Sequence, residues 1–194
     1  MTACTPPAPP EDAVIIADTV RWLERAVIGL NLCPFAKSVH VKGQVHYAIS
    51  KASSRPDLIA DLKDELNALV ALDASVRDTT LWIVPQALQD FLDFNDFLDD
   101  ADRALQDLSL DGVLQIASLH PRYQFAGTLV DDITNCTNRS PYPTLHLLRE
   151  DSIDRAVAAF PKPETIFETN MQTLQTLGLA GWDALDVGRS HPSI

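Results

Sequence analysis

The sequence predicts an α/β fold, a single domain in which amphipathic helices pack on a small, mostly parallel sheet of three or four strands. Segments whose apolar residues recur with the helical period alternate along the chain with short apolar runs that are typical of strands. The connections between these segments are short, and such alternation favours parallel strands joined by right-handed crossovers. With 194 residues, of which 46% are hydrophobic, the chain is long enough to bury one core.

The first half of the chain contains two predicted helices and two predicted strands. A helix is predicted over residues 11–32, because its apolar residues stand three or four positions apart, and Pro34 ends it. Residues 44–50 alternate between apolar and polar side chains, as strands do. An amphipathic helix follows over residues 56–72, and the apolar run 81–84 is typical of a buried central strand.

The second half begins with an amphipathic helix over residues 88–108 and a third strand over residues 113–118. From residue 119 to about residue 143 no period is visible. A segment of this length within a compact domain is either functional or partly structured. Residues 144–149 form either a fourth strand or a short helix.

Two further helices and two irregular ends complete the predicted organisation. One helix begins at residue 151 or 152, and another covers residues 163–177. Four prolines among residues 1–10 predict a disordered or extended lead-in, so the α/β domain covers residues 11–185. Residues 186–194 are predicted to be a flexible tail.

The net charge excludes some classes of partner, and the number of cysteines indicates the cellular compartment. The chain has 15 basic and 27 acidic residues and a formal net charge of −12, so we expect neither nucleic acid nor an anionic membrane as a partner. No apolar run approaches the roughly 20 residues of a spanning helix, and residues 1–10 lack the features of a secretory signal. The three cysteines, Cys4, Cys33 and Cys136, are an odd number, which predicts a reducing compartment and a cytoplasmic protein.

Sequence motifs for nucleotide cofactors are absent. The seven glycines form neither the dinucleotide-binding pattern G-x-G-x-x-G nor the phosphate-binding pattern G-x-x-x-x-G-K. The sequence also contains no G-x-S-x-G, H-E-x-x-H or C-x-x-C motif, and none of its histidines stand four residues apart. The motifs therefore do not identify a cofactor, and a bound metal ion is one of the options.

The densest polar chemistry lies between His120 and His146, in the segment without a period. If the third strand is parallel to the others, this segment leaves the carboxyl end of the sheet, where ligands of open α/β sheets usually bind. The loop after the second strand, which ends in residues 93–96, opens on the same edge. Residues 57–111 contain 14 acids and 3 bases, whereas residues 118–150 contain 3 of each. The sequence therefore predicts an electrically balanced ligand site at this edge, suited to a small-molecule ligand.

Three residues are candidates for catalysis. His120 is either a general base or metal ligand, or a loop histidine that bonds to a backbone carbonyl. Cys33 is either a nucleophile or thiolate ligand, or a small packed hydrophobe, and the negative end of the preceding helix disfavours its thiolate. Tyr123 is the third candidate and would orient the substrate.

Four residues are candidates for substrate binding. The guanidinium groups of Arg122 and Arg139 could clamp a carboxylate or phosphate, or else pair with neighbouring aspartates. Asn138 would orient a ligand or build a turn. Asn95 would bind substrate or cap and solubilise the third helix.

A metal site is a further option. His120, His146 and Asp132 would suit zinc or iron if the fold brought them together. Their spacing does not require this, and the leucines on both sides of His146 favour a buried histidine satisfied by hydrogen bonds.

Four separated stretches of the sequence carry a resemblance to a known family. They read NLCPFAK at residues 31–37, FLDFNDFLD at 91–99, HPRYQFAG at 120–127 and TNRSPYPTLHLLRE at 137–150. In these stretches the chain resembles the bacterial domain-of-unknown-function family 1415. Because that family has no established activity, the resemblance implies a fold and a shared site but no reaction. The matching positions are Cys33, Asn95, Asp96, His120, Tyr123, Asn138, Arg139, Tyr142 and His146.

From these residues we expect a small-molecule enzyme, either a hydrolase or a group transferase, with its substrate held at the carboxyl edge. The alternative is a non-catalytic ligand-binding or adaptor protein, in which residues 120–146 form a rigid surface. A metal-binding protein is the third hypothesis. The enzyme hypothesis requires His120, Arg139, His146 and Cys33 to share one pocket.

Overall fold

The computed structural model describes residues 12–159 and 162–190, so the predicted lead-in, residues 1–10, lies outside the described residues. In chain order the elements are α1 (Asp12–Trp22), α2 (Ala36–Val41), β1 (Val45–Ile49), α3 (Arg55–Ala71), β2 (Thr79–Ile83), α4 (Phe91–Asp107), β3 (Leu114–Leu119), β4 (Thr144–Arg149), α5 (Glu150–Ala159) and α6 (Ile166–Ala184). A π-helical turn, Leu23–Ile28, continues α1, and short 3-10 turns cover Ile133–Asn138 and Pro163–Thr165. None of the helices in this part of the chain is long and apolar enough to cross a membrane.

The sheet has the strand order β1-β2-β4-β3 and is mixed, which confirms the α/β class and corrects the prediction of a mostly parallel sheet. β1 and β2 pair in parallel, whereas β4 is antiparallel to both of its neighbours. The reason lies in residues 120–143. They contain a 3-10 turn but no crossover helix, so the chain re-enters the sheet at the edge it left and runs through β4 in the opposite direction. Because β2 and β3 are both antiparallel to β4, the strands β1, β2 and β3 all end at one edge, which we call the carboxyl edge.

Helix boundaries depend on local side chains. α3 begins after Ser54, whose side chain accepts a hydrogen bond from the Asp57 N–H, and α4 begins after Asp90, which accepts one from the Leu92 N–H. The last helix runs past its predicted end, because Gly178, with a φ of 67°, makes a kink and does not stop the helix.

Hydrophobic layers cover both faces of the sheet. α3 and α4 pack on the face that carries Trp82, Leu145 and Leu147, all of which are buried. α1 and its π-helical continuation pack on the opposite face, which carries Leu81 and Ile83. β2 therefore buries consecutive side chains on both of its faces, which explains why its sequence is a continuous apolar run.

The part of the predicted tail that the structure describes, residues 186–190, packs against α1. The Arg21 side chain donates hydrogen bonds to the carbonyl oxygens of Asp186 (2.7 Å) and Gly188 (2.8 Å). Val187 is buried in the same hydrophobic cluster as the apolar face of α1. These residues are therefore docked on the domain.

Tyr47 in β1 provides a stability prediction. Its hydroxyl oxygen is enclosed without a hydrogen-bond partner among the described residues, and burial raises the pKa of Tyr47 to about 12. We expect Tyr47→Phe to leave the free energy of unfolding unchanged or to raise it by about 1 kcal/mol, because the variant buries no unpaired polar atom. Urea denaturation measures this change. A loss of more than about 1 kcal/mol, the usual value of a hydrogen bond, would show that the hydroxyl has a partner in solution.

Candidate functional site

The carboxyl edge brings together the loops that follow β2 and β3, and the His120 ring joins them. Its Nε2 donates a hydrogen bond to the Leu88 carbonyl oxygen (3.1 Å), and its Nδ1 accepts one from the Arg122 N–H (3.0 Å). A donor at Nε2 and an acceptor at Nδ1 define the neutral form of the ring. Burial lowers the pKa of His120, although the bond to Leu88 opposes this effect. In this geometry His120 holds a backbone carbonyl, and its role as a general base stays a prediction.

Leu88 has a left-handed backbone conformation, with a φ of 55°. This conformation is rare for a bulky side chain, and it persists only where the surrounding structure holds it. The hydrogen bond from His120 to the Leu88 carbonyl supplies part of that restraint. His120 thereby sets the course of the loop that carries Gln89 and Asp90.

Two arginines converge on Gln89. The Nη2 of Arg122 donates to the Gln89 carbonyl oxygen and pairs with Asp90 (3.2 Å), and the Nη2 of Arg189 donates to Gln89 Oε1 (2.8 Å). Arg189 also donates to the Pro141 carbonyl oxygen (2.6 Å). Arg189 was not predicted as a site residue, because it stands in the predicted tail and reaches this edge only through the docking of residues that follow α6.

Arg139 and Asn138 stabilise the conformation of residues 120–143 through hydrogen bonds to backbone carbonyls. Arg139 donates to the carbonyl oxygens of Tyr123 (3.2 Å) and Val130, and Asn138 donates to a backbone carbonyl of β3 (3.3 Å). These polar groups therefore bond to backbone atoms in and beside their own segment. Their contact with a substrate stays a prediction.

Asn135 organises the same segment from inside. Its side chain is fully buried, and its Oδ1 accepts hydrogen bonds from the Phe125 N–H (2.9 Å) and the Thr128 hydroxyl (2.9 Å). Its Nδ2 donates to the Leu129 carbonyl oxygen (2.8 Å). One buried amide thus satisfies three groups of a loop that lacks regular secondary structure, as the backbone of an ordered loop requires.

A series of aromatic rings runs from α4 across this segment to α6. Phe91 contacts Tyr123 with ring centroids 5.2 Å apart, Tyr123 contacts Phe125 (5.0 Å), and Phe125 contacts Phe167 (6.2 Å). We call these four residues the aromatic row. Phe167 is 54% exposed and the other three are half-buried, so the row presents apolar surface next to Arg122.

Cys33 and Asn95 do not bond to this group of residues. Leu32, next to Cys33, packs against Cys136 and Leu174, and burial raises the pKa of the Cys33 thiol. Asn95 is exposed on α4. In the described ranges, no hydrogen bond joins either of them to the His120 ring, whose two nitrogens are both occupied.

The metal candidates have other partners. The Nε2 of His146 donates to the Thr79 hydroxyl (2.7 Å) within the sheet. Asp132 accepts hydrogen bonds from the N–H (2.9 Å) and the hydroxyl (2.7 Å) of Thr134, which it caps. Among the residues that the structure describes, no three His, Cys, Asp or Glu side chains are grouped so that they could hold a metal ion.

A family model described as "Protein of unknown function (DUF1415)" matches residues 14–184, which is most of the chain. The chain belongs to the DUF1415 family. No curated protein and no solved structure matches it significantly.

The four stretches that carried the resemblance are not all together in this DUF1415 protein. Three of them border the carboxyl edge: residues 91–99 begin α4, residues 120–127 follow β3, and residues 137–150 lead into and through β4. Residues 31–37 lie beside α6, where a backbone carbonyl accepts a hydrogen bond from Asn170 (2.8 Å). Most of the DUF1415 stretches therefore meet at the edge where the arginines and the aromatic row lie.

Proposed function

We propose that this DUF1415 protein binds a small anionic ligand with an apolar or aromatic part at the carboxyl edge of its sheet. The observation that carries the proposal is the convergence of Arg122 and Arg189 on Gln89. Guanidinium groups bind carboxylates and phosphates through paired hydrogen bonds. The carboxyl edge is also where ligands of α/β sheets usually bind.

Both arginines keep donors for such a ligand. The Nε and Nη1 of Arg122 and the Nη1 of Arg189 make no hydrogen bond with the described residues. Asp90 pairs with Arg122 at the surface, where the two side chains are 52% and 61% exposed. Because an exposed ion pair contributes at most about 1 kcal/mol, an anionic ligand can displace the Asp90 carboxylate at small cost.

The aromatic row would receive the rest of the ligand. Tyr123 directly follows Arg122, and Phe91 directly follows Asp90, so ring surface adjoins the arginines on both loops. Aromatic side chains bind flat or apolar groups through offset and edge contacts. The overall charge of −12 is unevenly distributed, because residues 57–111 contain 14 acids and 3 bases, whereas residues 118–150, which include Arg122 and Tyr123, contain 3 of each.

A hydrolase or group transferase at the same edge is the alternative to a binding protein, but it would have to act without His146, which bonds to Thr79 within the sheet, and without Cys33. To act as a general base, His120 would have to release its unprotonated Nδ1 from the Arg122 N–H, because its Nε2 already carries the proton that bonds to Leu88. The Tyr123 hydroxyl makes no hydrogen bond with the described residues, so it is the predicted catalytic group that is free to meet a ligand. We favour binding because it uses the donors that are free and leaves His120 in place.

Inorganic phosphate and phenyl phosphate test this proposal by isothermal titration calorimetry at low ionic strength. We expect phenyl phosphate to bind more tightly than inorganic phosphate, because its ring can contact the aromatic row. Arg122→Gln and Arg189→Gln are each expected to weaken binding of either compound by about tenfold, which corresponds to about 1.4 kcal/mol.

Arg103→Gln is the matched control. Arg103 is an arginine of α4 whose side chain is 71% exposed and pairs with Asp100. This variant should bind both compounds like the wild-type protein. If neither compound binds, or if the Arg122 and Arg189 variants bind as tightly as the control, the proposal is wrong.

A further inference from the structure

A cleft of about 260 Å³ lies between β1 and α3 and shares no lining residue with the carboxyl-edge site. One wall is the edge strand β1 with the residue after it, Ser50. The other wall is α3, which contributes Asp61, Asp64 and Glu65. Trp82 of β2 also lines the cleft.

The helical wall of the cleft carries more negative than positive charge. Asp61 accepts a hydrogen bond from the Ser50 hydroxyl (2.6 Å), and Glu65 pairs with Arg77. Asp64 is exposed and makes no ion pair with the described residues. Carboxylates three and four positions apart on a helix repel one another. A bound cation would relieve this repulsion.

Trp82 forms a buried apolar part of the cleft lining. Its side chain is 1% exposed and stacks on Phe97 of α4, with ring centroids 6.2 Å apart. The charge of the cleft therefore comes from the carboxylates of α3.

The β1 wall offers backbone groups that make no hydrogen bond with the described residues. The Gln44 carbonyl and the Ser50 N–H both bond to β2, so the backbone N–H and C=O groups of the even-numbered residues point toward β2. The backbone N–H and C=O groups of Val45, Tyr47 and Ile49 consequently point to the free side of β1, which is an edge of the sheet. Such an edge pairs readily with an added extended segment.

We propose that the cleft binds the lysine or arginine side chain of an extended peptide that pairs with the free edge of β1. The backbone of the peptide would bond to Val45, Tyr47 and Ile49, and alternate side chains would point to the α3 side of the sheet. One cationic side chain there would meet Asp61 and Asp64. The charge of this wall and the free strand edge select a basic peptide over an acidic or an apolar one.

Fluorescence anisotropy with short labelled peptides tests this inference on the full chain. The probe is a five-residue peptide of alternating threonine and valine with arginine at its centre. The comparison arms are the same peptide with glutamine at its centre, and N-acetyl-arginine amide as a competitor that cannot form a strand. We expect the arginine peptide to bind at least tenfold more tightly than the glutamine peptide and than the competitor.

Asp64→Asn is the principal variant, because Asp64 is exposed and its replacement should leave the fold intact. It should weaken binding of the arginine peptide several-fold and leave the glutamine peptide unaffected. Asp99→Asn, an exposed aspartate of α4, is the matched control and should bind like the wild-type protein. Equal binding of the two peptides, or equal binding by the Asp64 and Asp99 variants, would overturn the proposal. Binding of N-acetyl-arginine amide as tight as that of the peptide would show a small-cation site, and would also overturn it.

Discussion

Replacing Asp18 with alanine is expected to lower the free energy of unfolding by about 3 to 5 kcal/mol. The Asp18 carboxylate is fully buried, accepts hydrogen bonds from the Tyr142 hydroxyl (2.8 Å) and the Ser190 N–H (2.8 Å), and pairs with Arg21 (2.9 Å). Although burial raises the pKa of Asp18, the hydrogen bonds from Ser190 and Tyr142 leave that pKa below its ordinary value. The carboxylate thus joins α1, the entry to β4 and the end of the described chain.

Asp107→Ala is the matched control for this effect. Asp107, in α4, pairs with Lys63 (2.6 Å), and its side chain is 62% exposed. Its removal should cost less than about 1 kcal/mol, as for other surface ion pairs. Urea denaturation of both variants gives the two free energies. Equal losses in the free energy of unfolding would contradict a special role for the buried carboxylate. The same conclusion would follow if residues 186–190 of the Asp18 variant resisted proteolysis as they do in the wild-type protein.

Acidification is expected to destabilise the protein through His146. Burial lowers the pKa of His146 from 6.5 to about 4. Between these values the unfolded chain binds a proton that the folded protein does not, so the free energy of unfolding falls as the pH falls through this window. The contribution reaches about 3 kcal/mol near pH 4 and is absent above pH 7.

The variant His146→Gln isolates the contribution of His146 to the pH dependence. Carboxylates that titrate in the same pH range are present in both proteins, so their effect cancels when the two proteins are compared. Glutamine does not titrate, and its amide can still donate a hydrogen bond to the Thr79 hydroxyl as the Nε2 of His146 does. Chemical denaturation at pH 7.5 and pH 4.5 should show a loss of stability that is about 2 to 3 kcal/mol smaller in the variant. An identical pH dependence in the two proteins would mean that His146 titrates alike in the folded and unfolded states.

Periodic patterns predicted five of the six α-helices and the first three strands, but they missed α2 and left residues 144–149 open between a strand and a helix. The prediction of a mostly parallel sheet was wrong for the direction of β4. The alternation of Leu145 and Leu147 with polar or half-buried neighbours defines β4, but such a pattern is the same for a strand in either direction. The direction of β4 depends on whether the connection from β3 crosses the sheet. Residues 120–143 do not cross it, and the buried Asn135 that folds them is held by contacts no period encodes.

The candidate site was predicted in part for a similar reason. The edge itself followed from the end of β3, and Arg122 and Tyr123 were predicted there. Whether a guanidinium faces a ligand or a backbone carbonyl depends on tertiary geometry, and Arg139 bonds to carbonyl oxygens. Arg189 reaches Gln89 only because residues 186–190 return to α1, and nothing in the local sequence indicates that return.

A crystal of the protein soaked with phenyl phosphate provides the sharpest test of the anion site at the carboxyl edge. We expect the phosphate oxygens to lie within hydrogen-bond distance of the guanidinium groups of both Arg122 and Arg189, with the phenyl ring against Phe91 or Tyr123. His120 should keep its hydrogen bond to Leu88 in that complex. A phosphate bound away from both arginines, or an empty carboxyl edge at a concentration that saturates the protein in calorimetry, would show that the two arginines do not form an anion site.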